Sequence, residues 1–458
     1  MAPAFWAPWA WLHGGWVPDV LLRVDSQGFW SEVSAGTPAP ADVEHLPGPV
    51  LPALVNAHSH AFQRAFVGLA ERRDSEHDDF WSWRDRMYGV ALRITPEQLF
   101  DVAVHLYTEL LAGGYTHTCE FHYLHHAPDG RPYDSHGADT LAMSRALAEA
   151  ATATGMGLTL LPVLYERAGF TQPALQQDQR RFATSVDSVL KMRDSIREWC
   201  LPQVSAGVAV HSLRAARPQS LHELAAALHG DTGPVHIHVA EQTAEVADCL
   251  AATGARPIEW LLREGLLDAR WQLVHATHAT PEEIAGVAAS GAGVVLCPGT
   301  EANLGDGLCD LPRWLAAGVA LSLGSDSHVT RTWPEELRWL EYGQRLQLRQ
   351  RNVAAAPGSV PATAARLFER VLAGGAAAAG LARWGLQVGA RADLLVLNTH
   401  DAALVGLPQE RLLDAVVFAA AQRPFVHTLA GGRWAGGDGQ QSAASRRYAM
   451  TMHQLWPG

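Results

Sequence analysis

The sequence predicts an α/β fold: a (β/α)8 barrel of the TIM type, with a small β-sandwich domain built from both chain ends. Three observations predict it. Between residues 49 and 326, eight short apolar or β-branched runs alternate with longer stretches of helical character, the pattern of repeated βα units around a parallel sheet. The chain has 458 residues, 48% hydrophobic and only 18% charged, enough to bury a large core. The two flanks differ from this middle: residues 1–48 are rich in Trp, Pro and Gly around extended runs such as DVLLRV, and the region after 386 returns to strand-like ADLLVLN and FVHTLAGG. Neither flank could bury a core alone, so the two are expected to pair.

The eight runs are 49–57, 115–121, 158–165, 204–210, 235–241, 272–277, 293–298 and 320–326. Eight parallel strands can close on themselves, and the catalytic face of such a barrel lies at the C-terminal strand ends. Helix ends are legible between them. Thr95-Pro96-Glu97-Gln98 combines a cap, a proline in the first turn and a capping-box Gln, and Gly113-Gly114 closes that helix. Thr280-Pro281-Glu282-Glu283 repeats the signature and ends at Gly291. The expected organisation is 1–48 as the first part of the small domain, 49–385 as the barrel, and 386–458 as the second part of the small domain and a tail.

Composition excludes several classes of function. A formal net charge of −12 argues against a polyanion-binding surface and thus against a nucleic-acid partner. Lys191 is the sole lysine and sits in a stretch that reads as a helix surface, which leaves Schiff-base and P-loop chemistry almost without candidates. The cysteines, Cys119, Cys200, Cys249, Cys297 and Cys309, are odd in number and never in C-x-x-C, so neither a disulfide framework nor a zinc knuckle is expected. The apolar N-terminus lacks a basic region and is broken by Pro3, Pro8 and Gly14-Gly15, and Ala376–Ala379 is too short to span a bilayer. A cytoplasmic protein without a membrane partner is expected.

The chemistry lies in the histidines. The first run ends in Asn56-Ala57-His58-Ser59-His60, and residues two apart on an extended segment point the same way, so both imidazoles can reach one ion. The fifth gives His236-Ile237-His238-Val239-Ala240-Glu241, the sixth Val274-His275-Ala276-Thr277-His278, and the eighth Gly324-Ser325-Asp326-Ser327-His328. Each alone could be a hydrogen-bonded rim residue. Together, four strand ends present metal-competent side chains in barrel order, and His238 is preferred to His236 because it shares its terminus with Glu241. Three imidazoles and one carboxylate suit zinc, one per chain, with iron or another divalent metal also accommodated. Zinc brings the pKa of water down toward about 7. Glu241 is then the natural proton shuttle, with His275 and Asp326 orienting the water. No lysine lies at a strand end to be carbamylated, so a mononuclear site is expected.

The motifs N-A-H-S-H, H-V-A-E, V-H-A-T-H and G-S-D-S, in this order, resemble the deaminase branch of the amidohydrolase superfamily, and GLQVGARADLLVLN resembles the segment by which its members return to their small β-domain. The resemblance covers nearly the whole chain. It implies His58, His60, His238 and Asp326 as metal ligands, Glu241 as acid/base and His275 as the residue that polarises the attacking water. Further stretches, His58 to Arg64, Phe80-Trp81-Ser82-Trp83-Arg84, Glu120-Phe121-His122-Tyr123 and Val210-His211-Ser212-Leu213-Arg214-Ala215, look like those of the branch members that hydrolyse N-formimino-L-glutamate to N-formyl-L-glutamate and ammonia in histidine degradation. That partner, a small dicarboxylate with a formimino group, asks for a charged clamp beside a metal. Arg214 offers a planar fork, with His211 three residues before it. Gln63, Tyr123 and Arg84 match substrate-holding positions of the family, whereas Trp81 and Trp83 read as loop packing. The stretch from Cys297 to Gly305 resembles the superfamily's P-x-S-N-x-x-L but has Thr-Glu-Ala before Asn303.

Three rival readings remain open in the sequence. N-Formimino-L-aspartate is one methylene shorter, a difference worth only about 1–3 kcal/mol in a pocket. A purine such as guanine or adenosine would favour flat apolar walls, against which Arg214 and His211 weigh. A non-catalytic binding protein would show broken ligand motifs, and these are intact. The resemblance also implies a homodimer.

Overall fold

The computed structural model describes residues 3–73, 80–137, 139–420, 424–436 and 438–456; the side chains of Phe80, Trp81, His136 and 438–440 are outside the description. The alternating runs form parallel strands in the order expected of a barrel. Leu54–Ser59, Tyr115–His122, Gly157–Leu164, Val204–Ala206 with Val208–Val210, Val235–Val239, Trp271–His275, Gly293–Leu296 and Ala320–Leu323 follow one another round a closed sheet. Leu323 pairs with Asn56, and Ser59 with Asp326, closing the last strand on the first. The fourth run is two short strands divided at Gly207, where a side chain would collide with the Pro234 carbonyl; both pieces pair with Gly157–Leu164.

The caps read from sequence are present. Gln98 N–H donates to Thr95 Oγ1 at 3.3 Å while Thr95 N–H donates back to Gln98 Oε1 at 3.1 Å, starting the helix Pro96–Ala112. Thr280 and Glu283 repeat the exchange at the head of Pro281–Ser290. Lys191 is exposed on the helix Val186–Glu198, paired with Asp187. All five cysteines are free thiols, and no helix among the described residues is long and apolar enough to cross a membrane.

One expectation is corrected. The run 49–57 is not one strand: Val50–Leu51 pairs with Ala4–Leu12 and Leu394–Leu397 in the small sheet, and the barrel strand begins at Leu54. Pro52, which has no N–H to give a ladder, marks the change of sheet. Residues Asp438–Leu455 form a helix packed along Pro96–Ala112 of the barrel. Its buried Ala444, Thr451 and Leu455 recur at helical spacing.

The small domain joins both flanks in one eight-stranded sheet, from Arg433–Trp434 and Phe425–Ala430 through Leu394–Leu397 and Val50–Leu51 to Ala4–Leu12, Gly15–Val24 and Trp30–Ser34, with Glu44–His45 beside Ala4–Leu12. The sheet curls back on itself: Trp30 N–H donates to Ala390 O at 2.9 Å and Gly389 N–H to Trp30 O at 2.8 Å. Phe5, Val20, Leu22, Trp30, Val50, Leu394 and Leu429 fill the enclosed core.

The terminal helix also reaches the segment behind His60. Arg64 donates to both Glu109 oxygens, at 2.8 and 3.2 Å, and to Tyr448 Oη at 3.0 Å; Tyr448 O–H donates to the Arg64 carbonyl at 3.0 Å, and Trp456 Nε1–H to the Ala65 carbonyl at 2.8 Å. Arg331 shares Glu109 at 3.3 Å. Glu109→Gln therefore takes the counter-charge from the mostly buried Arg64 guanidinium and one carboxylate from Arg331, and we expect a loss of about 2 kcal/mol, read as a lowered melting temperature at equal metal content. An unchanged melting temperature would show that this cluster contributes nothing to stability.

Candidate active site

The first strand delivers His58 to the barrel mouth and His60 just beyond it. His58 Nε2 lies 3.1 Å from His60 Nε2 and 3.0 Å from His238 Nε2, and Asp326 Oδ1 lies 3.5 and 3.4 Å from the first two. Backbone and side-chain bonds fix this convergence. Asp326 N–H donates to the His58 carbonyl at 3.0 Å and His60 N–H to the Asp326 carbonyl at 3.2 Å. Asn56 Nδ2 donates to Ser325 Oγ at 2.8 Å and Ser325 N–H returns to Asn56 Oδ1 at 2.7 Å. Glu120, buried, accepts from Ser59 Oγ–H and Ala61 N–H, both at 2.6 Å, holding the turn between the two histidines. Gly324 must be glycine, because a Cβ there would stand 2.6 Å from His58 Cβ.

The donor set fits a cation. His60 Nδ1 faces the Phe121 carbonyl at 2.9 Å and His238 Nδ1 the His211 carbonyl at 3.0 Å, so both rings carry their proton on Nδ1 and turn Nε2 lone pairs inward. Burial, with the neighbouring imidazoles, holds His58 and His238 well below the usual histidine range, so these rings are neutral. Two inward lone pairs and a carboxylate oxygen, crowded around His58 in a buried site, repel one another unless a positive ion lies among them.

Beside this cluster stand His275 and Glu241. His275 Nε2 lies 3.7 Å from Glu241 Oε1 and 3.7 Å from Asp326 Oδ2, while its Nδ1 faces Glu301 Oε1 at 3.3 Å. Burial opposes charge on His275, yet Glu241, Glu301 and Asp326 push its pKa up to about 10. Burial pushes the Glu241 carboxyl up to about 7, with His275 opposing and Asp326 and Glu245 adding to the rise. Ala240, His275, Ala276 and Asp326 all have left-handed backbone, at φ 51°, 70°, 48° and 47°, a concentration of strain at the strand ends that places these side chains.

One pocket is lined by Gln63, Arg84, Tyr123, His211 and Arg214 together with His60, His238, Glu241, His275 and Asp326. Gln63 Nε2 donates to Tyr123 Oη at 3.1 Å. His211 packs against Tyr165, ring centroids 4.5 Å apart, and its carbonyl is the one that orients His238. Burial, with Arg214 next, holds His211 well below its ordinary range, so it is a neutral partner. Arg84 lies on the helix Phe80–Ala91 with its guanidinium over the Tyr88 ring at 5.5 Å. Trp83 belongs to that helix, not to a loop, and packs on Phe66; the Trp81 side chain lies outside the described residues.

Several residues at the site escaped sequence reasoning. Glu245 is one turn after Glu241 and accepts from the Ala240 and Glu241 amides, a spacing that could have revealed it. Tyr88 and Tyr165 line the pocket. The stretch from Cys297 to Gly305 folds as the helix Pro298–Leu304, and its unexpected Glu301 is the partner of His275; Asn303 turns away to Glu71 at 2.8 Å.

The model of the amidohydrolase family matches residues 50–435. The chain belongs to the amidohydrolase family. This amidohydrolase is an enzyme, a hydrolase of carbon–nitrogen bonds. It is 44% identical over 447 residues to formimidoylglutamate deiminase of Pseudomonas aeruginosa, covering 97% of this chain and 96% of that one. It is 27% identical over 417 residues to 5-methylthioadenosine/S-adenosylhomocysteine deaminase of Halobacterium salinarum, covering 90% and 87%. A solved amidohydrolase from Brucella melitensis superposes with a TM-score of 0.91 at 40% identity over 99% of both chains. A zinc-containing adenosine deaminase from Xanthomonas campestris, 22% identical with a TM-score of 0.80 over 99% of both chains, shares the fold.

Proposed function

We propose that this amidohydrolase hydrolyses N-formimino-L-glutamate to N-formyl-L-glutamate and ammonia, a step of histidine degradation. The observation that carries the reading is the single pocket in which Arg214, Arg84, His211, Gln63 and Tyr123 face the histidine–aspartate cluster and Glu241. The 44%-identical relative that bears the name of this activity supports it.

In this reading His58, His60, His238 and Asp326 hold one zinc ion per chain. Bound there, zinc supplies a Lewis acid that makes water acidic near neutral pH. Glu241, with a carboxyl poised near 7, takes the proton from the attacking water and passes it to the departing nitrogen, which leaves as ammonia. His275, kept charged by Glu241, Glu301 and Asp326, polarises that water. Arg214 grips a substrate carboxylate through its planar fork, and Arg84, His211, Gln63 and Tyr123 supply further donors. Binding energy from these remote carboxylates holds the formimino carbon in position for attack.

The test is ammonia release by zinc-loaded protein from N-formimino-L-glutamate, beside N-formimino-L-aspartate, guanine and adenosine. The glutamate compound should turn over far faster than the others; turnover of a purine instead would keep the metal cluster and overturn the clamp. For Arg214→Ala, loss of a charged hydrogen-bonded partner is worth about 2–5 kcal/mol, so kcat/KM should fall by at least about thirtyfold with bound zinc unchanged. Intact kinetics in that variant would remove Arg214 from the clamp.

A further inference from the structure

We propose a second divalent-cation site, formed by Glu241, His275 and Asp306 beside the histidine cluster, whose occupation inhibits the enzyme. One ligand atom from each of these three residues lies within 4.8 Å of the other two, and the His275 Nε2 to Glu241 Oε1 separation is 3.7 Å. Glu241 and Asp306 share no such group with His58, His60 or His238, whereas His275 also groups with His58 and His238.

Asp306 supplies the independent observation. It follows the helix Pro298–Leu304, its amide donating to the Glu301 carbonyl at 3.0 Å, and it is only 5% exposed. Its Oδ1 accepts from Gln242 Nε2, whereas its Oδ2 is buried and has no partner among the described residues. An orphaned carboxylate oxygen away from water is costly unless a proton or a cation answers it. Burial, followed by Glu241, pushes the Asp306 carboxyl up to about 9, with His275 opposing the rise.

Asp326 ties the two sites together. Its Oδ1 faces His58 and His60, and its Oδ2 faces His275 Nε2 at 3.7 Å. A carboxylate turned both ways can bridge two cations, and such pairs lie about 3.5–4 Å apart. The mononuclear expectation rested on the want of a lysine to be carbamylated as a bridge, and Asp326 is placed to bridge instead. Two carboxylates and one imidazole select a borderline transition ion such as zinc over calcium or magnesium. Repulsion from the first cation makes the second weaker, so the enzyme works with one zinc and loses activity as a second takes Glu241 out of proton transfer. The inhibition rests on the function proposed above; the occupancy of the site does not.

The experiment starts from protein holding one zinc per chain, dialysed to equilibrium against rising zinc, with metal content and ammonia release from N-formimino-L-glutamate measured on the same samples. The expected result is a second zinc per chain, bound more weakly, with turnover lost in parallel. Asp306→Asn, which keeps the size of the side chain and a partner for Gln242, should weaken the second equivalent at least about tenfold and leave the first in place. Saturation at one zinc per chain overturns the site without any variant. A second zinc that binds Asp306→Asn as tightly as the parent places it elsewhere, and a second zinc that binds without inhibiting overturns the regulatory role. Because stoichiometry is read without substrate, two zinc ions in a protein that does not turn over the formimino compound would refute the proposed function and leave this site standing.

Discussion

Glu241→Gln should remove nearly all turnover of N-formimino-L-glutamate from zinc-loaded protein while the metal content stays unchanged. Glutamine matches the shape of the side chain but cannot take a proton from water or deliver one to nitrogen. A single positioned acid or base contributes about 10²–10⁴-fold, and Glu241 serves in both directions, so the loss should lie toward the upper end. Metal should stay because the converging donors are the Nε2 atoms of His58, His60 and His238 with Asp326 Oδ1, and Glu241 contributes none of them. Steady-state ammonia release and metal analysis of the same sample decide it. Turnover within tenfold of the parent would assign the proton to another buried acid, with Glu245, whose carboxyl burial also pushes up, the first to examine.

Removing the metal should have an effect as large and, unlike Glu241→Gln, should also lower stability. Without a cation, the inward lone pairs of His60 and His238 crowd His58 and Asp326. An ion that binds only the folded chain stabilises it by about 4 kcal/mol at a thousand times its dissociation constant. Chelated protein should therefore lose activity and melt at a lower temperature, and zinc should restore both. Metal-free protein, verified by metal analysis, that still released ammonia would end the hydrolytic reading of the cluster. Protein that lost activity without any shift in melting would mean that the ligands are held rigidly by Glu120, Asn56 and Ser325 alone.

The convergence of His58, His60, His238 and Asp326 was legible because these residues obey simple geometry. His58 and His60 are two apart on an extended segment, and His238 and Asp326 stand where parallel strands of a barrel finish, so period and topology place all four on one face. The meeting of Arg84 and Arg214 in one pocket was legible only through resemblance to a family, since no local spacing brings a helix residue and a loop residue together. Glu301 and Asp306 were beyond reach for the same reason: their partners His275 and Gln242 are 26 and 64 residues away, joined by the path of loops. In the fold, the run 49–57 is continuously buried in both sheets it serves, which hid the change of sheet that Pro52 marks. The helix Asp438–Leu455 begins among polar and small residues, and only its few buried positions carry the helical period.

That last helix sets a timetable for the protein's synthesis. Arg64 and Ala65, a few positions beyond His60, bond to Tyr448 and Trp456 across 384 and 391 residues. At about 5–20 residues per second, a ribosome needs roughly 20–80 s to travel between them. Through that interval the nascent chain already displays His58 and His60, yet the wall behind Gln63 has not received its brace. A metal ion captured early would meet an unfinished cradle, so loading should follow release of the chain instead of accompanying its emergence.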